Sequence, residues 1–113
     1  MPQYMLLLHS KDEAWAKLGA EDMQKTVEKY LAWRHKSFVV DGAGLTREPG
    51  RVIRAKNGAA SVTQGPYSES AEVMGGFYTI EAADYDEAVK LALGNPHVDL
   101  GTIEIREVRV NNS

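Results

Sequence analysis

The side chains best suited to chemistry in this chain lie near its C-terminal end. His97 follows Gly94-Asn95-Pro96 and precedes Gly101 and the run Thr102-Ile103-Glu104-Ile105-Arg106. An imidazole changes charge near neutral pH, so a histidine on a turn, outside the core, is a candidate proton carrier. The alternative use of such a residue is to cap or brace the turn. Glu104 and Arg106 are two apart on a strand and share one face. They can pair as a structural or interface salt bridge. Alternatively, Arg106 can hold the carboxylate or phosphate of a ligand in its planar fork. Tyr67, on the turn Gln64-Gly65-Pro66-Tyr67, is the aromatic best placed to wall a pocket. His97 is therefore the catalytic candidate, and Arg106, Glu104 and Tyr67 are the ligand-binding candidates.

The rest of the composition excludes more than it offers. The chain has no cysteine, which removes disulfides, thiolate nucleophiles and Cys-ligated zinc. His9 and His35 are far from His97 in sequence and no His-x-x-x-His spacing occurs, so no metal site is expected. His35 reads as a favourable charge at a helix C-terminus, and His9 as a surface residue at a strand end, from which it could also reach a cleft. Asp41-Gly42-Ala43-Gly44-Leu45 is not a dinucleotide fingerprint, no nucleophile elbow or phosphate loop appears, and no cofactor is implied. Thirteen basic against sixteen acidic residues, with no basic cluster, argue against nucleic acid as partner. The apolar start, Tyr4 to Leu8, is too short for a signal peptide or a membrane span, so a cytoplasmic location and no membrane partner are expected.

The positioning elements follow from periodicity. At 113 residues the chain is expected to be one domain, 1–113. Tyr4–Leu8 reads as a buried strand, and Lys11–Leu18 as a single helical turn carrying Trp15. Glu21 to about Phe38 is the clearest helix: Met23, Val27, Tyr30/Leu31, Arg34 and Phe38 recur at helical spacing, with Met23, Val27, Leu31 and Phe38 as its apolar stripe, acids at its start and bases at its end. Residues 39–51 read as loop around a short extended piece. Asn57-Gly58 between Arg51–Lys56 and Ala59–Gln64 predicts a hairpin, because both turn positions want positive φ. Gly75–Glu81 is a further strand. Asp84 caps a second helix, whose apolar face is Tyr85, Ala88/Val89 and Ala92/Leu93, and Gly94-Asn95-Pro96 ends it. Thr102–Val110 is the last strand, with Ile103 and Ile105 towards the helices and a change of phase after Glu107. A frayed tail is expected at 111–113. The order defines an α+β, ferredoxin-like sandwich: an antiparallel sheet with two main helices on one face and an extra hairpin.

Gln64-Gly-Pro-Tyr-Ser-Glu-Ser-Ala-Glu-Val-Met-Gly-Gly-Phe-Tyr-Thr-Ile-Glu-Ala82 resembles the YCII-related proteins, and among them the group named for an Asp-Gly-Pro-Phe motif. Tyr4-Met-Leu-Leu7, Gly42-Ala-Gly-Leu45 and the segment Pro96 to Arg106 extend the resemblance over nearly the whole chain. It implies a dimeric α/β barrel, a homodimer in which two sheet faces cover each other. Gln64 stands where the group has Asp, Tyr67 where it has Phe, and Ala71 where a basic residue is common. The His-Asp pair of some YCII-like proteins is not carried over, since no histidine lies between Ala20 and Trp33. Some relatives are associated with sigma factors, but nothing here implies DNA binding.

Three functional expectations remain open. The first is a small-molecule cleft, for an anionic ligand, on the sheet face opposite the helices, where His97 moves a proton; turnover itself stays undecided. The second is a non-catalytic accessory or sensor protein. The third is a structural dimer module acting through protein partners.

Overall fold

In the computed structural model, which describes residues 1–67 and 69–110, ten elements follow each other along the chain. They are β1 (Gln3–Ser10), α1 (Asp12–Ala16), α2 (Ala20–Arg34), β2 (Val39–Gly44), β3 (Arg51–Lys56), β4 (Ala59–Gln64), β5 (Val73–Glu81), α3 (Tyr85–Ala92), a 3₁₀ turn (Pro96–Asp99) and β6 (Thr102–Glu107). Four strands form one antiparallel sheet in the order β2-β5-β1-β6. This is the ferredoxin-like order, with β1 and β5 central and β2 and β6 at the edges. The hairpin β3-β4 is a separate two-stranded sheet. The 111–113 tail lies outside the described residues.

Period-two alternation sets the layers. Tyr4, Leu6, Leu8 and Ser10 of β1 are buried, and Tyr78 and Ile80 of β5 lie beside them in register. These residues meet Trp33 of α2 and Ala88 and Ala92 of α3 in the core. The opposite face carries Met5, Leu7 and His9 of β1, Phe77 of β5, and Glu104 and Arg106 of β6, and among the described residues no helix covers it. The molecule is accordingly a plate of 45 × 43 × 19 Å, one sheet and one helix layer thick.

Local chemistry explains the boundaries. Asp84 Oδ1 accepts from the Glu87 N–H at 2.9 Å, and Glu87 Oε1 accepts from the Ala83 N–H at 2.8 Å, a reciprocal cap that starts α3. Asn57 and Gly58 have φ of 53° and 81°, the positive pair that a tight hairpin turn needs. β6 ends at Glu107, and Val108 still donates to the Gln3 carbonyl of β1 at 2.8 Å, one step further along the same register.

Several expectations are corrected. The short extended piece expected within 39–51 is an edge strand of the main sheet, Val39–Gly44. α2 ends at Arg34, four residues before Phe38. Its inward stripe runs through Met23, Thr26, Tyr30 and Trp33, whereas Val27 and Leu31 are exposed. The large rings of Tyr30 and Trp33 rotate the helix so that aromatics, which bury the most area, face the sheet. On α3 only Ala88 and Ala92 are buried, and Val89 and Leu93 lie outside the core.

Candidate functional site

His97 is where the structure departs most from expectation. The residue is on a turn, but its side chain is in the core at 2% exposure. The cause is local. Asn95 Oδ1 accepts from the His97 N–H at 2.8 Å, capping the 3₁₀ turn and directing the ring under α2. There Nε2 lies 2.7 Å from the His9 carbonyl oxygen, which can only accept, so Nε2 carries the hydrogen. Nδ1 is then a bare lone pair and accepts from the Tyr30 hydroxyl at 2.7 Å. Both ring nitrogens are thereby engaged inside the protein. Burial holds His97 below the usual histidine pKa, the hydrogen bond to His9 opposing this in part, and burial pushes the Tyr30 hydroxyl up. The pair is therefore neutral at physiological pH.

The surroundings lock this arrangement. Tyr30 stacks on Trp15 with ring centroids 5.8 Å apart, and Trp15 Nε1 donates to Ser10 Oγ at 2.9 Å. The Tyr78 hydroxyl donates to the Tyr30 carbonyl at 3.0 Å. Gly101 has no room for a side chain: a Cβ there would collide with the His9 carbonyl oxygen and lie 2.8 Å from His97 Nε2. The β1-β5 register shifts between Leu8 and His9, so His97 and Gly101 grip β1 at its irregularity.

Immediately across the sheet from that grip is a polar row. His9 pairs with Thr102 and Leu7 with Glu104, which makes His9 and Glu104 diagonal neighbours on the uncovered face. His9 Nε2 donates to Glu104 Oε1 at 3.2 Å, and Arg106 Nη1 lies 3.7 Å from Glu104 Oε2. At the end of the row Thr102 Oγ1 donates to Glu72 Oε1 at 2.9 Å. One carboxylate thus stands between an imidazole and a guanidinium, all partly open to solvent. Such a carboxylate can orient the imidazole, and the guanidinium can meet an anion.

Of the four residues singled out from the sequence, the structure brings Glu104 and Arg106 together on the uncovered face. His97 lies beneath that face, joined to it through the His9 backbone. Tyr67 belongs to the hairpin, three-quarters exposed, with the Arg54 guanidinium 5.4 Å above its ring. The Gln64–Tyr67 turn closes the hairpin's base: Gly65 donates to the Gly50 carbonyl at 2.9 Å, and a Cβ on it would strike the Pro49 carbonyl oxygen. His9, expected at the surface or at a cleft by the strand end, joins Glu104 there. The signal for it was the alternation Met5-Leu7-His9, which points it away from the core.

A model of the YCII-related domain matches residues 3–112, so the chain belongs to that family. No curated protein matches it. Among solved structures it is similar to 5-chloro-2-hydroxyhydroquinone dehydrochlorinase (TftG) from Burkholderia phenoliruptrix AC1100, in complex with 2,5-dihydroxybenzoquinone. The two share 13% identity over 95% of this chain and 93% of that one, with a TM-score of 0.51. At that identity the likeness is one of fold. No helix among the described residues is long and apolar enough to cross a membrane.

Proposed function

We propose that this protein binds a small anionic molecule on the uncovered sheet face. In this reading Arg106 anchors the anion and the His9–Glu104 pair exchanges a proton with it. The observation that carries the reading is the His9–Glu104–Arg106 row on a face that no helix covers. His97 enters as a positioning residue: its Nε2–H holds the His9 backbone from behind while its own nitrogens stay occupied. Direct proton transfer by His97 would first require breaking a 2.7 Å hydrogen bond in the core. A second copy, sheet against sheet, would cover Met5, Leu7 and Phe77 and close the cleft. TftG, which shares the fold, holds an acidic hydroxyquinone, and a flat anion of that class suits a guanidinium beside an imidazole.

A thermal-shift series tests this. Wild type, Arg106→Gln and His9→Gln are heated with 2,5-dihydroxybenzoquinone, with dicarboxylates and with phosphate esters. A ligand specific to the native state at a hundred times its Kd adds about 2.7 kcal/mol of stability. The expected result is a rise in wild type that is lost in Arg106→Gln and reduced in His9→Gln. A rise of equal size in all three proteins places the ligand elsewhere, and no rise with any anion removes the proposal.

A further inference from the structure

We propose that the β3-β4 hairpin is an arm that clasps a second copy of this chain, seating its apolar face in that copy's groove between α3 and β6. The hairpin pairs with no strand of the main sheet, and every residue of both its strands is exposed except Val52, which is half-buried. A lone two-stranded hairpin is marginal in water. This one is also two-sided. Ile53 opposite Val62 and Ala55 opposite Ala60 share one face, with Arg51 and Gln64 at its base, while Val52 opposite Thr63, Arg54 opposite Ser61 and Lys56 opposite Ala59 make the other. Ile53 and Val62 are 70% and 63% exposed. The radius of gyration, 16.0 Å, exceeds the value of about 13 Å for a compact chain of this length.

The seat has the matching character. A groove of about 300 Å³ runs along the edge strand β6, lined by Val89, Leu93, Val98, Ile103 and Ile105 among others, with no polar side chain in its wall. Charge agrees with shape. From Arg51 to Gln64 the hairpin holds Arg51, Arg54 and Lys56 and no acid. Glu48 meets Arg51 at the hairpin's base, 3.2 Å away, while Arg54 and Lys56 stand further out. The segment bearing the groove, Asp84 to Glu107, holds five acids against one base once Glu104 and Arg106, on the opposite face of the sheet, are set apart. The hairpin cannot fill its own groove, because it springs from β2 and β5 on one side of the sheet and β6 is the opposite edge. The occupant is therefore the same arm from another copy.

The inference rests on the second copy proposed above, but not on the ligand site. Sedimentation velocity is run on wild type, on Ile53→Asp/Val62→Asp and on Leu93→Asp, with circular dichroism to check that each is folded. The arm predicts a wild-type dimer and a dissociation constant raised by at least about tenfold in either variant. It also predicts that mixing the two variants restores a dimer, since one intact arm then meets one intact groove. A dimer indifferent to all three changes overturns the arm and leaves paired sheet faces standing. A wild-type monomer at micromolar concentration overturns the arm and the paired sheets together. Isotope-filtered NMR gives an independent reading: methyl contacts from Ile53 and Val62 of one copy to Leu93 and Ile103 of the other are expected, and their absence overturns the seat.

Discussion

Replacing His97 by alanine tests the assignment of this residue to the core. The change removes two hydrogen bonds of 2.7 Å and leaves the Tyr30 hydroxyl buried without its acceptor. A stranded buried polar group costs about 1–3 kcal/mol, and the space left by the ring adds a cavity cost of about 2 kcal/mol. The expected loss is about 3–5 kcal/mol, a large part of the roughly 5–15 kcal/mol that holds a domain together. At about 4 °C per kcal/mol this lowers Tm by roughly 12–20 °C. The assay is urea unfolding at neutral pH, followed by fluorescence of Trp15 and Trp33. The pH dependence carries a sign. Burial lowers the folded pKa of His97 below its ordinary 6.5, so the unfolded chain binds more protons in that interval. The stabilisation is complete above pH 6.5, declines as the solution is acidified, and stops declining below the folded pKa. His97→Gln should lose this part of the acid slope. A loss below about 1 kcal/mol in His97→Ala, with the acid slope unchanged in His97→Gln, would refute the buried, neutral assignment.

Other substitutions test separate parts of the account. Gly101→Ala should destabilise by about 1–3 kcal/mol in chemical denaturation, because the new methyl meets the His9 carbonyl and His97. Gly94→Ala, whose Cβ would lie 3.5 Å from the nearest oxygen, should change stability far less. Asp84→Ala removes the cap on α3 and should cost about 1 kcal/mol by the same measurement. Glu104→Gln breaks only solvent-accessible ion pairs, so stability should hold within about 0.5 kcal/mol while the thermal response to ligand is reduced, as in His9→Gln, and is not abolished as in Arg106→Gln.

The fold was legible wherever local chemistry decides it. Asn57-Gly58 marked both hairpin strands to the residue, and Asp84 with Glu87 marked the start of α3. The alternation of Ile103 and Ile105 with Glu104 and Arg106 assigned the two faces of β6 correctly. What required the structure was non-local. Nothing in the spacing of His9 and His97, 88 residues apart, shows that one ring nitrogen meets the other's carbonyl. The diagonal contact of His9 with Glu104 depends on the β1-β6 register, which the two strands set only when they pair. Helical spacing permits Val27 and Leu31 in the core, but the larger rings of Tyr30 and Trp33 take the inward positions. The Gln64–Tyr67 turn suggests Tyr67 as a pocket wall, yet that turn belongs to a hairpin standing outside the sheet.

The central claim is that ligand chemistry sits on the uncovered sheet face and that His97 supports it from the core. The most direct test is nitrogen-edited NMR of the imidazoles during titration with 2,5-dihydroxybenzoquinone. Saturable shifts are expected at His9 and at the Arg106 guanidinium, with His97 retaining the hydrogen on Nε2 throughout. A saturable change at His97, with His9 and Arg106 unmoved, would contradict it.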